Sequence, residues 1–328
     1  MKTEDFNYRL PKEFIAQEAA HPHDHCRLMV IKNKIEHQKF YNIIDYLKKG
    51  DVLVVNQTKV LHAKLLGKKQ TGARLEAILT KPLGNNTWQC RIKSKNIKVG
   101  TTLIFNSTTA TVTTIEEDIF TILFEKEPAQ EDIIIPTPPY ITKKVPEKDY
   151  QTVFAKTPGS LAAPTAGLHF TADLIKKLKE KGVKFATITL HIGSGAFLPV
   201  RDRTTYKTEP EYFEIDEENA AMINSATRII PVGTTSIKAL ESAANAAKNG
   251  KVKAASGFST IFIKPGYQFN LNFPAIITNF HLPQSSLLML VCAYGGTERI
   301  LTAYKEAVNN NYRFYSLGDA MIVFKEEQ

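Results

Sequence analysis

Cysteine is scarce in this 328-residue chain: Cys26, Cys90 and Cys292 are far apart, and no Cys-x-x-Cys pair occurs. Their number and spacing exclude a disulfide framework and a thiolate-bound structural zinc. Cys292 lies in an apolar run and reads as a small buried hydrophobe. Tryptophan is limited to Trp88, expected to anchor a core. The longest apolar stretch, Leu287 to Tyr294, is too short to cross a bilayer. Residues Met1 to Phe6 turn acidic within five positions and hold no apolar leader core, so the expected location is cytoplasmic, with no membrane partner. The segment His21-Pro22-His23-Asp24-His25 resembles a metal-binding run, but Pro22 and its surface-loop composition argue against one, and no metal is expected.

What is present is ordinary for a globular protein: 43% hydrophobic and 23% charged residues. A chain of this length fits two domains better than one. Its net charge of +9 points towards a polyanionic partner. Cations recur at Lys48-Lys49, at Lys68-Lys69, between Arg91 and Lys98, and between Lys176 and Lys184. Solvated helix and hairpin faces would explain the same residues.

The texture changes twice along the chain. Leu28 to Ile31 and Asp51 to Asn56 read as buried strands, with a short helix from Ile43 to Lys49 closed by Gly50. From Leu61 to Phe124, short Thr- and Val-rich runs alternate with Gly and Asn turns, as in a small antiparallel barrel. The prolines from Pro136 to Pro146 then mark an extended return. Beyond Tyr150, helices are expected at Thr171–Lys181, Glu217–Ser225, Ser236–Asn249 and Glu298–Asn309. Strands are expected at Lys184–His191, Arg228–Val232, Gly257–Ile263, Ala275–Thr278 and Met321–Phe324. That alternation is the α/β signature. The expected architecture is a larger α/β domain formed by both ends of the chain (1–60 and 145–328) with an inserted antiparallel β-barrel (61–144).

Three segments share one design: Ala162 to Thr171, Thr189 to Phe197, and Thr278 to Pro283. Each sets a histidine (His169, His191 or His281) and small polar residues beside Gly or Pro at the end of an apolar run. A histidine at a helix entrance meets free N–H groups and the positive end of the dipole, which keep an imidazole neutral. Three such loops suggest one pocket built from strand ends.

With those residues goes a resemblance that runs almost end to end. It includes Tyr8-Arg9-Leu10-Pro11, Cys26-Arg27-Leu28, Gly50 to Asn56 and Thr137 to Ile141. It continues through Tyr150 to Val153, Ala162 to Phe170, Thr189 to Pro199, Val232 to Ser236, Phe262 to Tyr267, Thr278 to Pro283 and Gly318 to Met321. The chain resembles the S-adenosylmethionine:tRNA ribosyltransferase-isomerase family of queuosine biosynthesis. The resemblance implies transfer and isomerisation of the ribosyl unit of S-adenosylmethionine onto 7-aminomethyl-7-deazaguanine in tRNA, giving epoxyqueuosine-tRNA, adenine and methionine. It implies S-adenosylmethionine as co-substrate, no metal or further cofactor, the tRNA anticodon arm as partner, and a monomer.

Such chemistry asks for a neutral base near a sulfonium, a proton donor for departing adenine, and a base for the incoming ammonium. Imidazole titrates near neutrality and suits either direction. His169, His191 and His281 are therefore the acid and base candidates, without individual steps. Gly193 and Gly195 could bring backbone amides to a ribose or carboxylate, or form a bare turn. Thr234 and Thr235 open a helix after Val232-Gly233 and could seat a carboxylate or simply cap the helix. Arg27, Asn56, Thr58, Thr165, Gly167 and Asn279 are further substrate-binding candidates. Glu241 could pair internally or act, and Asp319 could hold an amine or only a turn.

Some positions depart from the family pattern. A His-x-Met-His-x-Glu element is matched by the shorter stretch from Tyr206 to Glu211, Arg becomes Lys59 after Thr58, and the residue after His281-Leu282-Pro283 is Gln284. The alternatives are a non-catalytic tRNA-binding relative and a ribosyl or alkyl transferase acting on a small nucleoside.

Overall fold

A computed structural model describes residues 2–193, 209–247 and 250–326. Two compact units are present: residues 1–59 with 139–328, and residues 60–138. The second boundary falls at Pro139 rather than at 145. The cause is local: Gln17 donates to the Tyr140 carbonyl (2.9 Å) and accepts from the Thr142 amide (2.8 Å).

The larger unit is built on two sheets. One orders its strands Ala275–Asn279, Ala320–Phe324, Arg27–Ile31 and Ile35–Lys39. The other orders Arg228–Pro231, Asp51–Asn56, Lys184–Leu190, Glu211–Ile215 and Ala255–Ser259. The Asp51 strand has parallel neighbours on both sides and is buried at every residue. An unbroken apolar run is what a strand covered on both faces requires. Its side chains alternate between two cores: Val52 and Val54 enter one, Leu53 and Val55 the other. The Arg27 strand divides likewise, Met29 and Ile31 from Leu28 and Val30.

Helices Thr234–Ala247, Ser286–Gly295 and Thr297–Asn309 supply Ile237, Leu240, Leu288, Val291 and Ile300 to the first core. The helix Ala172–Glu180 and the 3-10 segment Phe40–Tyr46 cover the second with Leu174, Leu178, Phe40 and Ile43. Leu174 and Leu178, four residues apart, share one helix face. Thr171 caps that helix by accepting from the Leu174 amide (3.2 Å). A parallel bridge between Val232 and Ile277 joins the sheets. The unit is an α/β fold with apolar layers on both sides of its strands.

The smaller unit is an antiparallel barrel of six strands: Lys64–Lys69, Arg74–Gly84, Thr87–Lys93, Ile119–Phe124, Thr109–Glu116 and Thr102–Phe105, closed by pairing of the first with the last. At Gly67 a Cβ would lie 2.6 Å from the Ile104 carbonyl, so the closure needs glycine there. Leu65, Leu79, Cys90, Val112, Ile122 and Phe124 fill the interior. Trp88 is not the anchor expected of it. It packs against this core half-buried, with Nε1 donating to Glu127 (3.2 Å).

Other local differences have similar causes. The short helix expected from Ile43 is a 3-10 segment, Phe40–Tyr46, ending before Gly50. The apolar run Leu287 to Tyr294 is the helix Ser286–Gly295, capped by Ser285 accepting from the Leu288 amide (3.2 Å). All three cysteines are free and buried.

Candidate functional site

The segment from Gly159 to His169 connects two groups of polar residues in the larger unit. Its far end is a 3-10 turn, Thr165–His169, in which Ala166, Gly167, Leu168 and His169 are buried. Gly167 packs closely, since a Cβ would press on Thr152 Cγ2 at 3.0 Å. The Thr165 hydroxyl donates to Asn279 Oδ1 (3.4 Å), and Asn279 Nδ2 donates to the Tyr315 carbonyl (3.0 Å). Gly233, at φ +88°, donates its amide to the Ile277 carbonyl and opens the Thr234 helix. A Cβ at Gly233 would stand 3.5 Å from both Ala166 Cβ and Thr235 Oγ1. Thr165, Thr235, Asn279 and the turn carrying His169 thus meet at strand ends, whereas His191 belongs to a second group, with Thr58 and Tyr212, and not to the one pocket expected of the three histidine loops.

His169 is 4% exposed, with Nδ1 3.2 Å from Cys26 Sγ and its ring against Phe40. Burial lowers its pKa to about 3, opposed by the Asn279 side chain, which comes near the ring without completing a hydrogen bond. The imidazole is therefore neutral at pH 7, and desolvation rather than a helix dipole is the main cause. No described residue hydrogen-bonds to Nε2. The Thr235, Thr152 and Tyr150 hydroxyls are likewise buried without a partner among the described residues. Ala163 and Ser316 lie near Tyr150 and ease the upward push of burial on its hydroxyl, yet neither completes a hydrogen bond. Folded proteins leave few buried polar atoms unpaired. Here four surround one short segment, each able to meet a polar ligand.

The second group centres on His191, which is half-buried and has a pKa lowered by burial, partly offset by Glu214. Thr58 Oγ1 lies 2.8 Å from its Nδ1, and Tyr212 stacks on its ring. Thr58 and His191 are therefore partners. Asn56 is a different case. Its Nδ2 donates to the Leu190 carbonyl, and its Oδ1 accepts from the Thr58 and Leu190 amides. The side chain stitches two strands together.

Other candidates are also engaged in holding the fold. Although His281 follows Asn279 by two residues, its Nε2 faces Thr278 Oγ1 and its Nδ1 the Tyr304 hydroxyl, both at 3.3 Å. Its pKa too is lowered to about 3 by burial. With both nitrogens occupied, it is placed to position the Asn279 turn. Glu241 is fully buried and accepts from Tyr267, from the Asn270 amide and side chain, and from the Leu271 amide. Asp319 accepts from the Arg27 and Arg313 amides, and the Arg27 guanidinium stacks 3.8 Å over Tyr312. These three organise loops. Gly193 is described, with Glu209 3.5 Å from where its Cβ would be. Gly195 and residues 206–208 lie outside the described residues.

Sequence reasoning missed Cys26, Tyr150 and Thr152 as neighbours of the His169 turn. Only their place in the matched segments hinted at them, because each is brought in by tertiary packing.

Comparison with known proteins gives a consistent result. A family model described as "Queuosine biosynthesis protein" matches residues 3–323. S-adenosylmethionine:tRNA ribosyltransferase-isomerase from Clostridioides difficile is 46% identical over 343 residues, covering 98% of this chain and 100% of that protein. The proteins of the same name from Acetivibrio thermocellus and Sulfurihydrogenibium are 44% and 45% identical at the same coverage. Among solved structures, the crystal structure of S-adenosylmethionine tRNA ribosyltransferase from Thermotoga maritima matches with a TM-score of 0.57 at 35% identity. That match covers 98% of this chain and 100% of the other.

Proposed function

The chain belongs to the queuosine biosynthesis protein family, and from that membership we propose how its residues serve S-adenosylmethionine-dependent ribosyl transfer to tRNA. It is an enzyme: it transfers and isomerises the ribosyl unit of S-adenosylmethionine onto 7-aminomethyl-7-deazaguanine in tRNA. S-adenosylmethionine is the co-substrate and no other cofactor takes part. The anticodon arm presents the base, and a single copy of the chain acts.

The observation that carries the site assignment is the set of four unpartnered buried groups, His169 Nε2 and the Thr235, Thr152 and Tyr150 hydroxyls. They form the substrate pocket. Thr234 and Thr235, at a helix entrance, seat the anionic carboxylate, where free amides and the dipole favour negative charge. His169 tolerates a sulfonium nearby because burial keeps it uncharged. Its unpaired nitrogen is the group we assign to taking the proton from the carbon next to sulfur.

A histidine with so low a pKa stores no proton at pH 7, so neither His169 nor His281 is the ready acid for departing adenine. Towards adenine they offer only a neutral N–H. His191, paired with Thr58, is the group we assign to deprotonating the amine.

Incubation of the protein with S-adenosylmethionine and tRNA bearing 7-aminomethyl-7-deazaguanine tests the function. Mass spectrometry should find adenine, methionine and epoxyqueuosine-tRNA. Turnover should also weaken steeply with added salt, as expected where phosphates are gripped. A folded protein yielding none of the three products on authentic substrate would refute it.

A further inference from the structure

Among the described residues, one set of three side chains is arranged to hold a metal ion: His21, His23 and Asp149. We propose that they form a site for one divalent transition-metal ion of the zinc type, beside the turn that carries His169.

The distances are the first reason. His21 Nε2 stands 3.4 Å from Asp149 Oδ2, and His23 Nε2 stands 3.4 Å from Asp149 Oδ1, so each imidazole faces its own oxygen of one carboxylate, and one ligand atom from each residue lies within 4.8 Å of the other two. A charge-assisted hydrogen bond between such groups is shorter, about 2.7–2.9 Å. The ligand-to-ligand edge of a zinc tetrahedron, built from bonds of about 2.0–2.1 Å, is about 3.3 Å.

Proton bookkeeping is the second reason. His23 Nδ1 lies 2.8 Å from the Leu168 carbonyl, which can only accept, so Nδ1 carries the hydrogen. In the neutral ring Nε2 is then bare, and its lone pair confronts a carboxylate oxygen. Two acceptors face each other without a proton between them, and a cation resolves the conflict. An imidazole that donates its other N–H to a backbone carbonyl is also the usual outer-shell arrangement of a metal-bound histidine.

Burial is the third. The Asp149 side chain is only 8% exposed, while that of His21 is 61% exposed. The carboxylate needs a cationic partner, and the exposed imidazole gives an ion a route in from solvent. Two imidazoles and one carboxylate suit zinc, cobalt, nickel or copper, leaving a coordination position for water. The bound ion would fix the Leu168 carbonyl, one residue before His169. Local sequence hid the site because Asp149 lies 126 residues from His23.

The test uses chelator-treated full-length protein titrated with Zn(II) by calorimetry, and with Co(II) by visible absorption. The expected result is one equivalent of zinc and the absorption bands of four-coordinate cobalt. His21→Ala and Asp149→Asn, each checked for native circular dichroism, should weaken zinc binding by at least about tenfold. His21 is exposed, so its loss leaves the fold intact. No zinc uptake by the wild type, or equal uptake by the wild type and both variants, would overturn the proposal.

Discussion

Cys26 Sγ lies 3.2 Å from Nδ1 of His169 inside the larger unit, and both residues are buried. Burial pushes the thiol pKa up, so sulfur retains its proton and the contact orients the imidazole without charging it. An orienting hydrogen bond is worth about 1–1.5 kcal/mol, or roughly tenfold in rate. Cys26→Ala should lower kcat by about that factor with KM for S-adenosylmethionine little changed. Cys26→Ser, whose oxygen accepts from Nδ1–H and so leaves Nε2 bare, should recover most of the loss. Steady-state kinetics on the two variants checks this; equal rates in both would remove Cys26 from the account.

Gly159 backs onto His191: a Cβ there would lie 2.5 Å from Nε2, at a backbone φ of +152°. Gly159→Ala should displace the ring from Thr58 and reduce turnover more than tenfold, with a stability loss of about 1–3 kcal/mol. Gly72→Ala is the control. Its φ of +82° is also strained for a side chain, but nothing lies within 4 Å. It should cost stability and leave turnover intact.

His281 and Glu241 are expected to behave as supports. His281→Ala strands the buried Thr278 hydroxyl and removes the ring partner of Tyr304, which keeps only the residue 281 amide, and Glu241→Ala strands the donors between Tyr267 and Leu271. Each should destabilise by more than about 2 kcal/mol, since a buried group left unpaired bears its full desolvation cost. Denaturant unfolding measures this. A stable His281→Ala protein without turnover would return His281 to the catalytic set.

Stability should fall as the medium is acidified. His169 and His281 have folded-state pKa values lowered to about 3, against 6.5 for the ordinary side chain. Below pH 6.5 the unfolded chain binds protons that the folded chain refuses, so stability is complete above that pH and declines as pH falls towards 3. Between pH 7 and 5 the loss is about 2 kcal/mol per histidine. Unfolding midpoints across that range should show it, and His169→Gln should flatten the slope.

Much of the fold is legible in the sequence because its signals are local. The unbroken run Val52 to Val55 demands cover on both faces, and Thr171 caps a helix whose Leu174 and Leu178 share one stripe. The turn-punctuated stretch after Leu61 announces short antiparallel strands. The candidate site is half legible. His169, Thr235, Thr165 and Asn279 are marked by Gly and Pro at strand ends, and the fold brings them together. Asn56, Glu241 and Asp319 look the same in sequence but are consumed by backbone amides, which only tertiary structure reveals. Trp88 misled for a related reason. A ring large enough to anchor a core can also close its rim.

The most direct measurement is single-turnover adenine release from S-adenosylmethionine on tRNA bearing 7-aminomethyl-7-deazaguanine, comparing the wild type with His169→Gln. The wild type should release adenine. The variant, folded and still binding S-adenosylmethionine, should be slower by at least about a hundredfold, as loss of a proton-transfer group requires. Equal rates would contradict the placing of the chemistry at His169, and no release by the wild type would contradict the activity itself.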